Sequence, residues 1–100
     1  MKDGKNEANG HTFWYLNGKF HRDDGPAVEY SNGWKYWYQH GRRHRDNGPA
    51  VEHANGFKEW WLNGNELSTE EFGQWLMKKE LREKLSSALA PKPIIKRSKL

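Results

Sequence analysis

One period dominates the sequence. Asn9-Gly10, Asn32-Gly33 and Asn55-Gly56 stand 23 residues apart, as do Trp14, Trp37 and Trp60, then Tyr15, Tyr38 and Trp61, then Gly18, Gly41 and Gly64. His21-Arg22-Asp23-Asp24-Gly25-Pro26-Ala27-Val28-Glu29 returns as His44-Arg45-Asp46-Asn47-Gly48-Pro49-Ala50-Val51-Glu52 with a single change. A unit this short cannot bury an apolar face alone, so copies must stack side by side and share one core.

The chemistry inside each unit is that of hairpins. Asn-Gly at 17, 32, 55 and 63 separates short runs rich in aromatic and β-branched residues, and it is the dipeptide best suited to positive φ at both centres of a type I′ turn. His40-Gly41 fills an equivalent place. Asp24-Gly25-Pro26 and Asn47-Gly48-Pro49 read as a second, wider connection, because proline cannot donate to a strand ladder. Strands are predicted near 12–16, 19–22, 27–31, 34–39, 42–45, 50–54 and 57–62, in an antiparallel meander.

At position 67 the third copy departs, with Leu67 where His21 and His44 stood. Ser68-Thr69-Glu70-Glu71 then reads as an N-cap with acidic first-turn residues, and Pro91 and Pro93 stop the helix that follows. The fold class expected is therefore mainly β with a C-terminal α-helix (α+β). The division is a polar, flexible stretch over 1–11, the repeat sheet over 12–67, a capping amphipathic helix over 68–90 and a basic flexible tail over 91–100. On a helical wheel Phe72, Trp75 and Leu76 face one way, and Met77, Leu81, Leu85 and Leu89 roughly the other. The first set suits the sheet. The second suits another helix, as in a homodimer.

Six Trp, four Tyr and four Phe make the core aromatic, since only 34% of the chain is apolar. A fully buried indole removes roughly 200 Å² from water, an upper bound near 5 kcal/mol. The absence of cysteine excludes disulfides and thiolate metal sites. No apolar run is long enough to span a bilayer, and the polar first ten residues are not a signal peptide. Lys/Arg and Asp/Glu balance over residues 1–67, so the net charge of +4 resides in 68–100, chiefly at Lys92, Lys96, Arg97 and Lys99. The high isoelectric point belongs to a tail rather than to a basic binding face.

Written together, W-Y-L-N-G-K-x-H-R-D-D-G-P-A-V-E, N-G-x-K-x-W and W-W-L-N-G-N-E-L-S-T-E-E-F resemble the MORN-like repeat proteins of bacteriophages and large DNA viruses. The likeness covers residues 12–75. It implies a β-hairpin repeat fold and a viral accessory protein at work in a bacterial cytoplasm. It carries over no catalytic residues, and the Gly-rich Y-x-G spacing of MORN repeats proper is missing.

Three groups are candidates for function. Trp34, Tyr36, Tyr38, Phe57 and Trp61 lie at the face that varies among copies, as a surface fitted to one asymmetric partner would. Beside them Arg42 and Arg43 break the repeat, standing where the first copy has Lys19-Phe20, and with Arg45 they suit an acidic partner or a single strand, or simply a solvated edge strand. A host protein is the leading partner, blocked as a host enzyme or defence factor. His21, Arg22, His44 and Arg45 form the second group. They could take phosphate from a nucleotide or single-stranded nucleic acid, or simply hold a repeated turn, with Asp capping amides and Arg pairing with Glu29 or Glu52. The helix stripe Met77, Leu81, Leu85 and Leu89 is the third. No cofactor, metal site, membrane contact or enzymatic activity is expected. Ser98-Lys99-Leu100 would direct the chain to peroxisomes only in a eukaryotic source.

Overall fold

The computed structural model describes residues 2–89. It is a mostly antiparallel β meander followed by one C-terminal helix, an α+β fold with extents of 66 × 32 × 20 Å. The elements are β1 (Gly4–Ala8), β2 (His11–Leu16), β3 (Lys19–Phe20), β4 (Val28–Glu29), β5 (Lys35–Tyr36), β6 (Tyr38–Gln39), β7 (Arg42–Arg43), β8 (Val51–Glu52), β9 (Lys58–Leu62), β10 (Asn65–Leu67) and α1 (Thr69–Leu89). The main sheet runs β1-β2-β4-β5-β8-β9-β10, with β3 also paired to β2, while β6 and β7 pair with each other.

The short strands are pieces of longer ones. β3 and β4 both lie along β2, through Tyr15↔Phe20 and Phe13↔Val28. Between these pairs the Trp14 carbonyl accepts from His21 N–H at 3.0 Å, and Trp14 N–H donates to Ala27 O at 2.7 Å. Residues 23–26 therefore leave and rejoin a single descending line. The second unit repeats this at Trp37, which accepts from His44 N–H and donates to Ala50 O. The wider connection expected around Gly-Pro is thus an in-line excursion rather than a link between strands.

The turns divide into two kinds. At 17–18, 40–41 and 63–64 both residues have positive φ (Asn17 52°, His40 50°, Asn63 50°), as a two-residue I′ hairpin requires. At Asn32-Gly33 and Asn55-Gly56 only the glycine does, at 100° in each case. There Tyr30 N–H donates to Trp34 O and Gly33 N–H to Tyr30 O, which makes a three-residue loop with glycine at the left-handed position. The Asn side chain completes it by accepting from Trp34 or Phe57 N–H. One dipeptide thus serves two turn types.

Residues 1–11, expected to be flexible, are corrected in part. Gly4–Ala8 forms β1 and pairs along its whole length with β2, from Gly4↔Tyr15 to Ala8↔His11. Its own sequence lacks an apolar alternation. The pairing is supplied by β2 and by the I′ turn at Asn9-Gly10, where φ is 54° and 81°.

Strand registers sort the side chains onto two faces. Trp14, Trp37 and Trp60 share one face, with Ala27 and Ala50 between them, both 0% exposed. The small alanines let neighbouring indoles close over the backbone. Helix α1 begins with a capping box, in which Glu71 N–H donates to Ser68 Oγ at 3.0 Å and Ser68 N–H to Glu71 Oε1 at 2.8 Å. Phe72, 5% exposed, then packs against Trp60 with ring centroids 6.4 Å apart. The helix caps only this third tryptophan, not the whole column. No helix among the described residues is long and apolar enough to cross a membrane.

Candidate functional site

Two surfaces flank the sheet, and the sequence-predicted residues divide between them.

On the tryptophan face, each excursion is organised by its arginine. Arg22 Cζ lies 4.2 Å from the Trp14 ring centroid and Arg45 Cζ 4.0 Å from that of Trp37. Arg22 Nε donates to Asp24 at 2.8 Å and Nη1 to Pro26 O at 3.2 Å, while Arg45 Nε donates to Asn47 at 3.0 Å and Nη1 to Pro49 O at 3.0 Å. Glu29 and Glu52 stand 3.9 and 3.4 Å from the same guanidiniums. A Cβ on Gly25 or Gly48 would come within 2.8 or 2.9 Å of the guanidinium carbon, so the glycine of each D-(D/N)-G-P turn makes room for the arginine.

The histidines have a different task. His21 Nδ1 accepts from His40 N–H at 2.9 Å, and His44 Nδ1 from Asn63 N–H at 3.0 Å. Each ring ties its own unit to the hairpin turn of the next. The other nitrogen of His21 faces Asp23 Oδ1 at 3.0 Å. This stitch was missed in the sequence, although histidine recurring ahead of a positive-φ turn in the next copy is its signature.

Between the two excursions lies a cleft of about 580 Å³, with Trp37, Gln39 and His44 among its lining. Its rim carries Asp23, Asp24 and Asp46 against Arg22 and Arg45, so formal negative charge exceeds positive. Of the four residues considered for phosphate, Arg22, His44 and Arg45 line this cleft and His21 does not, and Nε and Nη1 of both arginines already donate to the protein itself. Arg22 holds the Asp24 carboxyl below the ordinary value of 3.8, through a hydrogen bond first and charge second. A depressed carboxyl contributes stability above pH 3.8 that is lost as pH falls through the lower folded value. In an NMR titration Asp24 is expected to protonate below the ordinary aspartate range, and Arg22→Ala to return it there; an unchanged midpoint in Arg22→Ala excludes the pairing.

The opposite face is aromatic. His11, Phe13 and Tyr15 of β2 pair through their strand neighbours with Tyr30, Trp34, Tyr36 and Tyr38, and these with Phe57, Glu59 and Trp61. Trp34 meets Phe57 at 5.1 Å and Tyr36 at 6.2 Å, and Phe20 bridges Tyr15 and Tyr38 at 5.1 and 5.2 Å. Val28 and Val51, each 2% exposed, lie beneath these rings. The rings remain half-exposed, and Tyr30 and Phe57 are 38% and 44% exposed. Burial raises the Tyr36 phenol above its ordinary range.

Of the arginines assigned to this surface only Arg43 lies on it. Arg43 sits 5.3 Å over Tyr36 and 5.0 Å over Trp61, and 3.9 Å from Glu59, whose Oε1 also accepts from the Trp61 indole at 2.9 Å. Its charge is therefore matched internally. Arg45 is on the far side, because the excursion breaks the strand alternation and turns it onto Trp37. Arg42 pairs in register with Gln39, opposite Arg43, and its stem lies by Gly64. Nor is this segment an edge: Arg45 N–H donates to Trp61 O, and Gly64 N–H to Arg43 O.

On α1, Met77, Leu81 and Leu85 are 70%, 56% and 51% exposed, on the side away from Phe72. Leu89 closes the described helix, and its side chain falls outside the described part, as do residues 90–100 with Ser98-Lys99-Leu100. Lys79 lies 5.8 Å over the Trp75 ring and 3.9 Å from Asp46, tying the helix to the second excursion.

No protein-family model matches this chain, and neither a curated protein nor a solved structure matches it.

Proposed function

We propose that this protein is a non-catalytic protein-binding module whose aromatic sheet face docks a folded partner. The observation that supports this is the open ring surface: among the described residues no helix or further sheet layer packs over Trp34, Tyr36, Tyr38, Phe57 and Trp61, and the Arg43 side chain reaches over Tyr36 and Trp61 alone. A contiguous apolar patch of this kind marks an interaction site, and large aromatic side chains dominate the energetics of such sites. With Arg43 matched by Glu59, the face lacks the excess positive charge that single-stranded nucleic acid needs. The phosphate reading of His21, Arg22, His44 and Arg45 draws less support as well, since Arg22 and Arg45 already donate within the excursions and Nδ1 of His21 and His44 accepts from the next hairpin turn. The likeness to MORN-like viral repeat proteins makes a host protein in the bacterial cytoplasm the natural partner, with inhibition of a host or defence factor as the outcome. Self-association through Met77, Leu81 and Leu85 remains a secondary role. A stable interface takes roughly 20–30 residues a side, far more than this stripe.

The test is capture from bacterial lysate by the wild-type chain and by a Trp34→Ala/Phe57→Ala double variant, with circular dichroism to verify the fold. For hot-spot residues worth about 2 kcal/mol or more, affinity should fall at least about thirtyfold. Hydrogen exchange in the captured complex should slow at β5, β6 and β9. Equal capture by both forms, or protection confined to the excursions, rejects the aromatic face.

A further inference from the structure

We infer that the outer edge of β9 at residues 57–59 accepts an extended segment of a partner protein carrying a small residue, a β-branched residue and a carboxylate in succession. This concerns the rim of the sheet, not its aromatic face, and stands or falls separately from the docking role above.

The chain shows twice what belongs there. Ala27-Val28-Glu29 runs along the outer side of β2, and Ala50-Val51-Glu52 along that of β5. In the third copy the chain turns into α1 after Leu67, so the corresponding piece never forms. β10 covers only Trp60–Leu62, and Lys58 and Glu59 pair on one side, with β8. Phe57 O accepts from His53 N–H and Glu59 O from Ala50 N–H, both toward the interior of the sheet. By strand alternation the Lys58 amide and carbonyl point outward, where no described strand lies.

Side chains specify what would fit. Register places Glu29 across from Lys35, Lys35 from Glu52 and Glu52 from Lys58, a ladder of alternating charge that ends on an exposed cation. The next rung calls for a carboxylate, as opposite charges on facing strands attract. The first residue must be small, since its counterparts Ala27 and Ala50 are wholly buried between indoles, and here Trp60 and Phe72 close the space. Main-chain bonds at Lys58 would supply affinity, and these side chains the selectivity, as in other strand-addition complexes.

The experiment titrates the full chain with a synthetic Gly-Pro-Ala-Val-Glu-Tyr peptide, the sequence of residues 25–30, followed by NMR and calorimetry. The expected result is binding that slows exchange of the Lys58 amide, and weakens about fivefold when the peptide glutamate becomes lysine. Lys58→Glu, an exposed substitution that keeps the main-chain bonds of β9 but sets a carboxylate across from Glu52, should reverse that preference, with circular dichroism to verify the fold. Absence of binding at millimolar peptide overturns the inference, as does equal affinity for the two peptides. Protection of the Lys58 amide that rises with protein concentration alone, without peptide, also overturns it, for a second copy then occupies the edge.

Discussion

Replacing Trp37 with alanine is expected to lower the stability of the whole sheet by about 3 kcal/mol, the lower part of the range for deleting a large aromatic from a packed position. Three losses coincide there. The indole closes over Ala27 and Ala50, carries the guanidinium of Arg45 at 4.0 Å, and walls the cleft between the excursions. For a domain of this size each kcal/mol moves the melting temperature by roughly 4–8 °C, so the midpoint should drop by roughly 12–24 °C. Against a total stability of about 5–15 kcal/mol this is a large share. Thermal melting followed by circular dichroism reads it directly. A drop of only a few degrees would mean that the indole column is surface decoration and that the core lies under the opposite rings.

The second large effect is predicted to be local. Phe72→Ala removes the one buried side chain among the described residues of α1, which packs against Trp60 and meets the Trp75 ring at 5.5 Å. Most helical stability in a protein comes from the packed amphipathic face rather than from intrinsic propensity. Undocking should therefore lower the 222 nm signal and release the α1 amides to exchange, by about 3 kcal/mol in protection. The Val51 amide, on the strand next to that of Trp60, should keep its protection. Simultaneous loss of both would show that helix and sheet unfold as one unit, and unchanged α1 protection would show that the helix stands without Phe72.

The repeat, its hairpin turns, the separation of two aromatic faces and the helix start at Ser68 were all legible in the sequence, because each depends on chemistry within a few residues. Alternation along β2, β5–β6 and β9 placed Trp34, Tyr36, Tyr38, Phe57 and Trp61 together from sequence alone. What escaped depends on neighbours distant in the chain. Gly4–Ala8 has no strand pattern of its own, and becomes one only because β2 offers an edge. Arg45 was assigned to the wrong face because alternation was carried through a segment where the backbone leaves the sheet plane. Arg22 and Arg45 looked like free anion donors, since nothing local reveals that an indole from the preceding strand lies beneath each. The role of Gly25 and Gly48 was equally hidden: it is set by a guanidinium and not by φ.

The in-line excursions at 23–26 and 46–49 separate two properties that most β proteins bind together. A longer hairpin turn shifts register and moves every side chain to the other face, whereas these segments depart from and return to fixed partners, Trp14 or Trp37, on one continuous line. Extra residues placed between Asp46 and Asn47 would lengthen a projection above the sheet without altering a single rung. The architecture is in that sense a ruled page: its line spacing is set by the hairpins, while whatever is written between the lines can change in size and chemistry from copy to copy.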